Sequence, residues 1–191
     1  EVHAWQGGEG GVNHGMVVAM HHHVGMLEQL GFFRRLGGII AAMKVCYACG
    51  QLANGFLTDR LGTRVLAASG LAVSAGLNLV FSRLQSYRAM VATWAVNGYC
   101  QACGWTPTVR TIANWYPPRL RDGASGWIGT SYILGSAMSW VLAGRLTDAL
   151  GWRAAFWVPA IICALVAITH FLFIRQRPED VGLPATEPAP L

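Results

Sequence analysis

The sequence predicts an all-α integral membrane protein with five spanning helices. Only 12% of its 191 residues are charged and 53% are apolar, whereas a soluble domain carries about 25% charged residues. Long stretches are almost free of charge, and each is close to the roughly 20 residues with which a helix crosses a bilayer. These uncharged or nearly uncharged runs occupy residues 36–58, 65–82, 89–109, 123–144 and 154–174.

The runs are predicted to be helices and not strands of a membrane barrel. Each is about twice as long as the 9–11 residues of a spanning strand, and none alternates between apolar and polar side chains. A helix satisfies its own backbone hydrogen bonds, as the lipid interior requires. The predicted helices cover about 38–58, 65–83, 88–115, 123–145 and 152–174, and residues 175–191 form a tail or the start of a linker.

The fourth predicted helix is unusually rich in small side chains. Glycine, alanine and serine occupy nine of the positions from 123 to 137. Small residues allow the backbones of neighbouring helices to approach closely in a membrane. We therefore expect this helix to pack against its neighbours along much of its length.

Several function classes are not supported. The basic residues stand singly or in pairs at the ends of apolar runs, as interfacial anchors do, so a net charge of +5 does not indicate nucleic acid. The two cysteine pairs, Cys46/Cys49 and Cys100/Cys103, are far from each other in the sequence and lie inside apolar runs, so they do not predict a metal site. The adjacent histidines 21–23 would point in different directions on a helix, so they do not predict one either. No nucleophile triad, phosphate-binding glycine loop or carboxylate pair is present in a span. We predict neither an enzyme nor a cofactor.

The ten residues Gly55–Arg64 place charges between two apolar runs, and a similar segment, Gly144–Arg153, follows 89 residues later with seven of ten positions identical. In both segments glycines permit a tight turn and an aspartate can cap the next helix. Three predicted helices separate the copies, which would place them on opposite sides of the membrane as an inverted repeat. Alternatively, the two segments are not copies of one repeat, and they have similar residues only because both form a tight turn.

The repeat predicts a helix 89 residues before 88–115, at about 1–27, where the sequence does not resemble a span. Residues 1–27 contain five of the six histidines, six glycines and only a short apolar patch at 16–20, and the chain does not begin with Met. We interpret this stretch as an atypical N-terminal segment, with the first helix missing or damaged and the reading frame or gene model at fault.

The pattern Gly55-x-Leu57-x-Asp59-Arg60-x-Gly62-x-Arg64 resembles the signature loop between helices two and three of the major facilitator superfamily. The resemblance implies the N-terminal half of a twelve-helix fold with inverted three-helix repeats, of which this chain supplies helices two to six. It also implies a cytoplasmic charge cluster that holds the outward-open state. The second copy has Ala149 in place of the adjacent arginine, so we expect only a helix turn there. The implied gating residues are Gly55, Asp59, Arg60, Gly62, Arg64 and Arg110.

A second pattern is similar to the fourth helix of the organophosphate:phosphate antiporters, and the tail Arg177–Pro184 is similar to theirs. The pattern reads Gly98-x-x-Gln101-x-x-Gly104-Trp105-x-Pro107-x-x-Arg110-Thr111-x-x-x-Trp115. This resemblance implies a multi-pass secondary active transporter, in a bacterial inner membrane, that exchanges a small organic phosphate anion for inorganic phosphate by alternating access. Its implied partners are these anions, the lipid bilayer and a C-terminal six-helix half.

Departures from that family leave other functions open. Gln51 and Tyr132 stand where glycerol-phosphate transporters of the family carry lysine and histidine. Tyr47 and Gln51 resemble instead the sugar-acid symporters of the anion:cation group, yet those couple protons through a carboxylate where this chain has Gln101. A membrane sensor of sugar phosphates and a non-functional fragment are further alternatives.

Lys44 is the one charged residue within the five apolar runs. Tyr47, Gln51 and Asn54 follow at three, seven and ten residues and share a helix face with it. A charge within a span indicates a functional site, and snorkelling of Lys44 to the interface is the alternative. The candidate substrate-binding residues are Lys44, Tyr47, Gln51, Gln101 and Tyr132.

Overall fold

The computed structural model describes the backbone of residues 9–186 and the side chains of residues 28–186. This range folds into five α-helices and contains no strand, so the all-helical prediction is confirmed. The helices are α1 (Glu9–Leu61), α2 (Thr63–Phe81), α3 (Tyr87–Trp115), α4 (Pro118–Leu150) and α5 (Ala154–Phe173), and a 3₁₀ turn follows at Pro178–Val181.

The chain divides into two compact units, Glu1–Gly38 and Ile39–Leu191. In the described part of the first unit, Phe32 and Phe33 are exposed, and their ring centroids lie 5.8 Å apart. Every candidate functional residue belongs to the second unit.

Helices extend beyond the uncharged runs that predicted them. α1 begins at Glu9 and not near residue 38, so residues 9–27, expected to lack a helix, have helical backbone. Their side chains lie outside the described residues. α4 runs from Pro118, at its first turn, to Leu150, past both ends of the predicted 123–145. An uncharged run marks the apolar part of a helix, whereas the helix continues until the backbone is interrupted, and residues 9–61 contain no proline to do so.

Three segments of the described chain are long and apolar enough to cross a membrane: Glu28–Leu61, Thr63–Phe81 and Ala154–Phe173. α3 and α4 are also long, at 29 and 33 residues. Their middle parts, however, are rich in glycine and polar residues, which lowers their hydropathy even where no charge is present.

α2 packs against both α3 and α5 and forms the core of the second unit. The contact surfaces consist mainly of short side chains, so the helices approach closely. A Cβ atom added to Gly70 of α2 would lie 2.8 Å from the carbonyl oxygen of Cys100 in α3. The buried apolar residues of the three helices are Leu66, Ala67, Ala68, Ala75, Phe81, Ala102, Cys103, Ile112, Ala154, Ala160 and Ala167.

Aromatic rings close one end of this core. The Phe81 ring, at the end of α2, lies 4.6 Å from Trp94 of α3 and 4.7 Å from Phe156 of α5. At the other end of α2, Arg64 donates a hydrogen bond to the Phe171 carbonyl, and its guanidinium carbon lies 4.4 Å from the centre of the Phe171 ring. α2 is therefore attached to α5 at both ends.

α4 packs far less than its small residues predicted. It contacts α5 and α3 only lightly, and none of its residues is buried. A Cβ atom added to Gly126, Gly129 or Gly135 would meet nothing within 4 Å. The expectation of close packing is wrong for the described residues. Small side chains allow another helix to approach closely, but they do not ensure that a neighbouring helix is there.

Candidate functional site

The two copies of the internal repeat form the same turn. Gly62 follows α1 with φ 82° and ψ 157°, and Gly151 follows α4 with φ 85° and ψ 160°. Each glycine N–H donates a 3.0 Å hydrogen bond to a threonine carbonyl four residues earlier, that of Thr58 or Thr147. Both glycines lie in a backbone region that is essentially restricted to glycine.

Asp59 does not cap the next helix, contrary to the expectation. The first residue of α2 is preceded by Gly62 with no side-chain cap. The Asp59 carboxylate instead accepts a 2.8 Å hydrogen bond from the Arg110 guanidinium of α3, and both side chains remain more than half exposed. The structure thus brings together the end of α1 and α3 through two of the predicted gating residues.

The other two arginines of the motif have different partners. The guanidinium carbon of Arg60 lies 4.3 Å from the centre of the Phe56 ring, one turn earlier in α1. Arg64 binds the end of α5 through Phe171. Asp59 therefore forms its ion pair with the distant Arg110 and not with the arginines of its own loop.

A hydrogen-bonded group of three side chains joins α1 to α3. The amide nitrogen of Gln51 donates to the Tyr47 hydroxyl at 2.8 Å. The Thr106 hydroxyl of α3 donates to the amide oxygen of Gln51 at 2.9 Å. All three residues are half-buried. Of the predicted substrate-binding residues, Tyr47 and Gln51 are thus in direct contact.

Glycines allow the close helix contact that supports this group. A Cβ atom added to Gly98 of α3 would collide with the carbonyl oxygen of Met43 in α1. One added to Gly50, next to Gln51, would lie 2.8 Å from the Ala102 side chain. The backbones of α1 and α3 can meet at these points only because both residues lack a side chain.

The remaining candidates are not part of this group. Lys44, Gln101 and Tyr132 are exposed, and they have no hydrogen bond or ion pair to other side chains within residues 28–186. Lys44 lies one turn before Tyr47 on α1, whereas Tyr132 lies on α4 with 67% of its surface exposed. Within the described residues, the structure therefore gives no contact of Lys44, Gln101 or Tyr132 with the polar group.

Asn54 faces α3 and not the exposed side of α1. It is fully buried, and its amide oxygen accepts a 3.6 Å hydrogen bond from the Cys103 thiol. Asn97 is also fully buried and accepts a 2.6 Å hydrogen bond from the Ser74 hydroxyl of α2. Each buried amide oxygen thus links two helices, a contact that the sequence patterns did not reveal.

A cavity of about 720 Å³ lies elsewhere in the second unit, between the ends of α3 and α5. Its lining is mainly apolar, with Thr63, Thr111, His170 and Arg175 among its polar residues. None of the predicted substrate-binding residues lines it. The cavity and the predicted substrate-binding residues therefore occupy different places in the second unit.

Long helices joined by tight glycine turns, with polar groups between them, define a bundle of the kind that secondary transporters use. The chain belongs to the Major Facilitator Superfamily, whose family model matches residues 15–191. It is accordingly a partial transporter fold and an integral membrane protein, as the sequence predicted.

The most similar proteins include transporters of phosphate esters. A probable hexose phosphate transport protein of Chlamydia muridarum is 31% identical over 163 residues, which is 85% of this chain and 36% of that protein. The glycerol-3-phosphate transporter of Bacillus subtilis is 29% identical over 167 residues, or 84% of this chain and 38% of its own length. The human glucose-6-phosphate exchanger SLC37A2 is 28% identical over 151 residues, which is 76% of this chain and 30% of that protein.

These matches confirm the resemblance to the organophosphate:phosphate antiporter family. They also support the prediction of a transporter and not an enzyme. The chain spans little more than a third of the length of the first two of these relatives.

Proposed function

We propose that this chain is part of a secondary active transporter that exchanges an organic phosphate for inorganic phosphate across a membrane. The observation that carries the proposal is the common chemistry in the relatives' names. Bacterial and vertebrate proteins named for hexose phosphate, glycerol 3-phosphate or glucose 6-phosphate all match most of this chain. Each of these compounds is a small phosphate ester.

The α1/α3 polar group supports an anionic substrate. The Tyr47 hydroxyl and the Lys44 ammonium are both hydrogen-bond donors and lie one turn apart on α1. A phosphate oxygen is a strong acceptor, and hydrogen bonds from a charged donor to an oxyanion are about twice as strong as neutral ones. We assign Lys44 and Tyr47 to substrate binding, with Gln51 holding Tyr47; Gln101 and Tyr132 remain candidates without an observed contact.

The Asp59–Arg110 pair supports alternating access. It links the end of α1 to α3, so it can form in one conformation and break in another. A half-exposed pair contributes only about 0–1 kcal/mol, which suits a contact that must open in every cycle. We propose that this end is cytoplasmic, with Gly62 forming the turn and Arg60 and Arg64 anchoring the helix ends on either side of it. Gly55 lies inside α1, six residues before that helix ends, and stays a candidate from the resemblance alone.

We further propose that all five helices cross a bacterial inner membrane, including the less apolar α3 and α4. The polar residues of these two helices would face other helices or a water-filled path and not lipid. A C-terminal half of six helices would provide the opposite wall of the substrate path, as in transporters of this kind.

Exchange in vesicles tests the proposal. The full-length protein that contains this sequence is reconstituted with inorganic phosphate inside, and uptake of labelled glucose 6-phosphate and glycerol 3-phosphate is measured. We expect uptake that depends on internal phosphate and is absent from protein-free vesicles. Uptake of a sugar acid driven by a proton gradient, without internal phosphate, would contradict the proposal and favour a symporter. Specific binding without any uptake would favour a sensor.

A further inference from the structure

The cavity between the ends of α3 and α5 lies at the level where two spanning helices end. Its lining includes Thr63, the first residue of the span Thr63–Phe81, and Arg175, which follows the span Ala154–Phe173. The ends of spans mark the border of the apolar layer, next to the headgroups of the lipids. The cavity volume of about 720 Å³ is within the range of about 300–1,000 Å³ that is usual for small-molecule sites.

The hydroxyl of Thr63 has no hydrogen-bond partner within residues 28–186, although the residue is only 1% exposed. Most buried polar side-chain atoms have a partner, and an unpaired one destabilises the fold. The two other such atoms of this range belong to Asn54 and Asn97, neither of which lines the cavity. An acceptor on a molecule in the cavity would provide the partner that the Thr63 hydroxyl lacks.

Arg175 adds a positive charge to the lining. Its Nη1 donates to the carbonyls of Leu172 and Ile174, whereas its Nε and Nη2 have no partner in the described part of the chain. No carboxylate of that part forms an ion pair with it. Two neighbouring N–H groups of a guanidinium match two oxygens of a phosphate group. Arg175 therefore offers an anion two donors that the protein does not use.

The rest of the cavity is mainly apolar. A sugar phosphate does not fit there, because burying its hydroxyl groups without partners would be costly. A hydrocarbon chain is stabilised by the same surroundings, since it leaves water or lipid without losing a hydrogen bond. The apolar side chains of the lining include Ala67, Pro107, Ile112, Ile128 and Phe173.

We propose that this cavity binds an anionic phospholipid. Its phosphate accepts hydrogen bonds from Arg175 and from the Thr63 hydroxyl, and one acyl chain lies among the apolar residues. The surrounding bilayer supplies such a molecule at the level of the two span ends. The site is separate from the candidate substrate-binding residues and does not depend on which substrate is exchanged.

Lipid titration of the full-length protein that contains this sequence tests the proposal. Native mass spectrometry in detergent measures binding of dioleoyl phosphatidylglycerol, which is anionic, and of dioleoyl phosphatidylcholine, which has the same chains and no net charge. We expect Arg175→Gln to raise the Kd for phosphatidylglycerol by about tenfold, as for the loss of a charged hydrogen-bond donor. Arg119→Gln is the matched control, because Arg119 is exposed at the start of α4 and does not line the cavity; its Kd should change by less than about twofold.

Two further variants test the hydroxyl and the apolar part. Thr63→Val keeps the shape of the side chain, so it should raise the Kd by about threefold or more without lowering the melting temperature of the lipid-free protein. Ile128→Trp places a larger side chain in the cavity and should raise the Kd by about fivefold or more, because fewer methylene groups are then buried. If Thr63→Val is not recovered in folded form, Ile128→Trp and Arg175→Gln decide the outcome.

Three results would overturn the proposal. They are equal binding of the two lipids, equal Kd values for Arg175→Gln and Arg119→Gln, and displacement of the lipid by an equal concentration of inorganic phosphate, which would make the cavity a site for a free anion. The titration measures binding and not exchange, so none of these results affects the proposed function.

Discussion

Asp59 at the end of α1 and Arg110 in α3 form an ion pair at 2.8 Å, although 51 residues separate them in the chain. Asp148 occupies the corresponding position of the second repeat copy and has no ion pair within residues 28–186. The same turn therefore serves two purposes. The first copy links two helices through charge, and the second only reverses the chain.

This difference predicts unequal effects of removing the two carboxylates. Asp59→Asn should lower the maximal exchange rate by about twofold to fivefold, with little change in KM, because the pair would stabilise a conformation by at most about 1 kcal/mol and does not bind substrate. Asp148→Asn is the matched control and should change either constant by less than about twofold. Rates are measured in vesicles at equal protein density. Equal losses of the maximal exchange rate in both variants would contradict a gating role for Asp59.

The two turn glycines share a backbone conformation, which predicts similar stability losses. A side chain at either position is strained by about 1–3 kcal/mol because of that conformation. At Gly151 a Cβ atom would meet nothing within 4 Å, and at Gly62 it would meet only the end of the flexible Gln176 side chain, which can rotate away at little cost. Gly62→Ala and Gly151→Ala should therefore lower the melting temperature by similar amounts.

Shortening Gln176 tests whether its side chain adds to the strain at Gly62. The double variant Gly62→Ala/Gln176→Ala should melt at about the same temperature as Gly62→Ala, because the Gln176 side chain can already move aside. Melting of the detergent-purified protein measures all three variants. A clear recovery of stability in the double variant would contradict this prediction.

The contact between α1 and α3 predicts strong sensitivity at Gly98. Gly98→Ala places a methyl group against the Met43 carbonyl, so the helices must separate at a cost of about 1–3 kcal/mol. Gly104→Ala on the same helix meets nothing within 4 Å and should be neutral or slightly stabilising. Thermal melting compares the two, and equal stability would show that the helices do not meet at Gly98.

Lys44 is predicted to contribute charge to substrate binding. Lys44→Met keeps the apolar length of the side chain and removes the ammonium, and it should raise the KM for an anionic substrate by about tenfold or more if the interaction exceeds 1.4 kcal/mol. Lys44→Arg retains the charge, so its KM for the same substrate should remain closer to that of the unmodified protein. Unchanged uptake by Lys44→Met would leave the lysine as an interfacial anchor.

Charge-free runs predicted the five helices well because the cost of burying a charge in lipid limits where charges can lie. The same runs did not give the helix ends. α1 continues to Glu9 and α4 reaches Leu150, since a helix that leaves the apolar layer can continue through charged residues. The small residues of α4 were also a poor guide, because side-chain size does not identify a packing partner.

From the sequence, residues of the candidate site could be grouped together only when they lie on the same helix. The four-residue spacing of Tyr47 and Gln51 placed them on one face of α1, and the structure shows them in contact. Thr106 was missed because it reaches Gln51 from 55 residues further along the chain. Likewise, Asn54 was placed on the face of Lys44, Tyr47 and Gln51, but its complete burial against Cys103 of α3 depends on the packing of the two helices.

The short side chains between α2 and its neighbours carry an evolutionary consequence. Gly70 meets the backbone of Cys100, so an added side chain would force the two helices apart there, and Ala102 and Ala160 are almost completely buried. Such positions can drift only among the smallest residues. We therefore expect homologous sequences to vary least in residue size along α2 and most freely on α4, even where neither helix touches the transported anion.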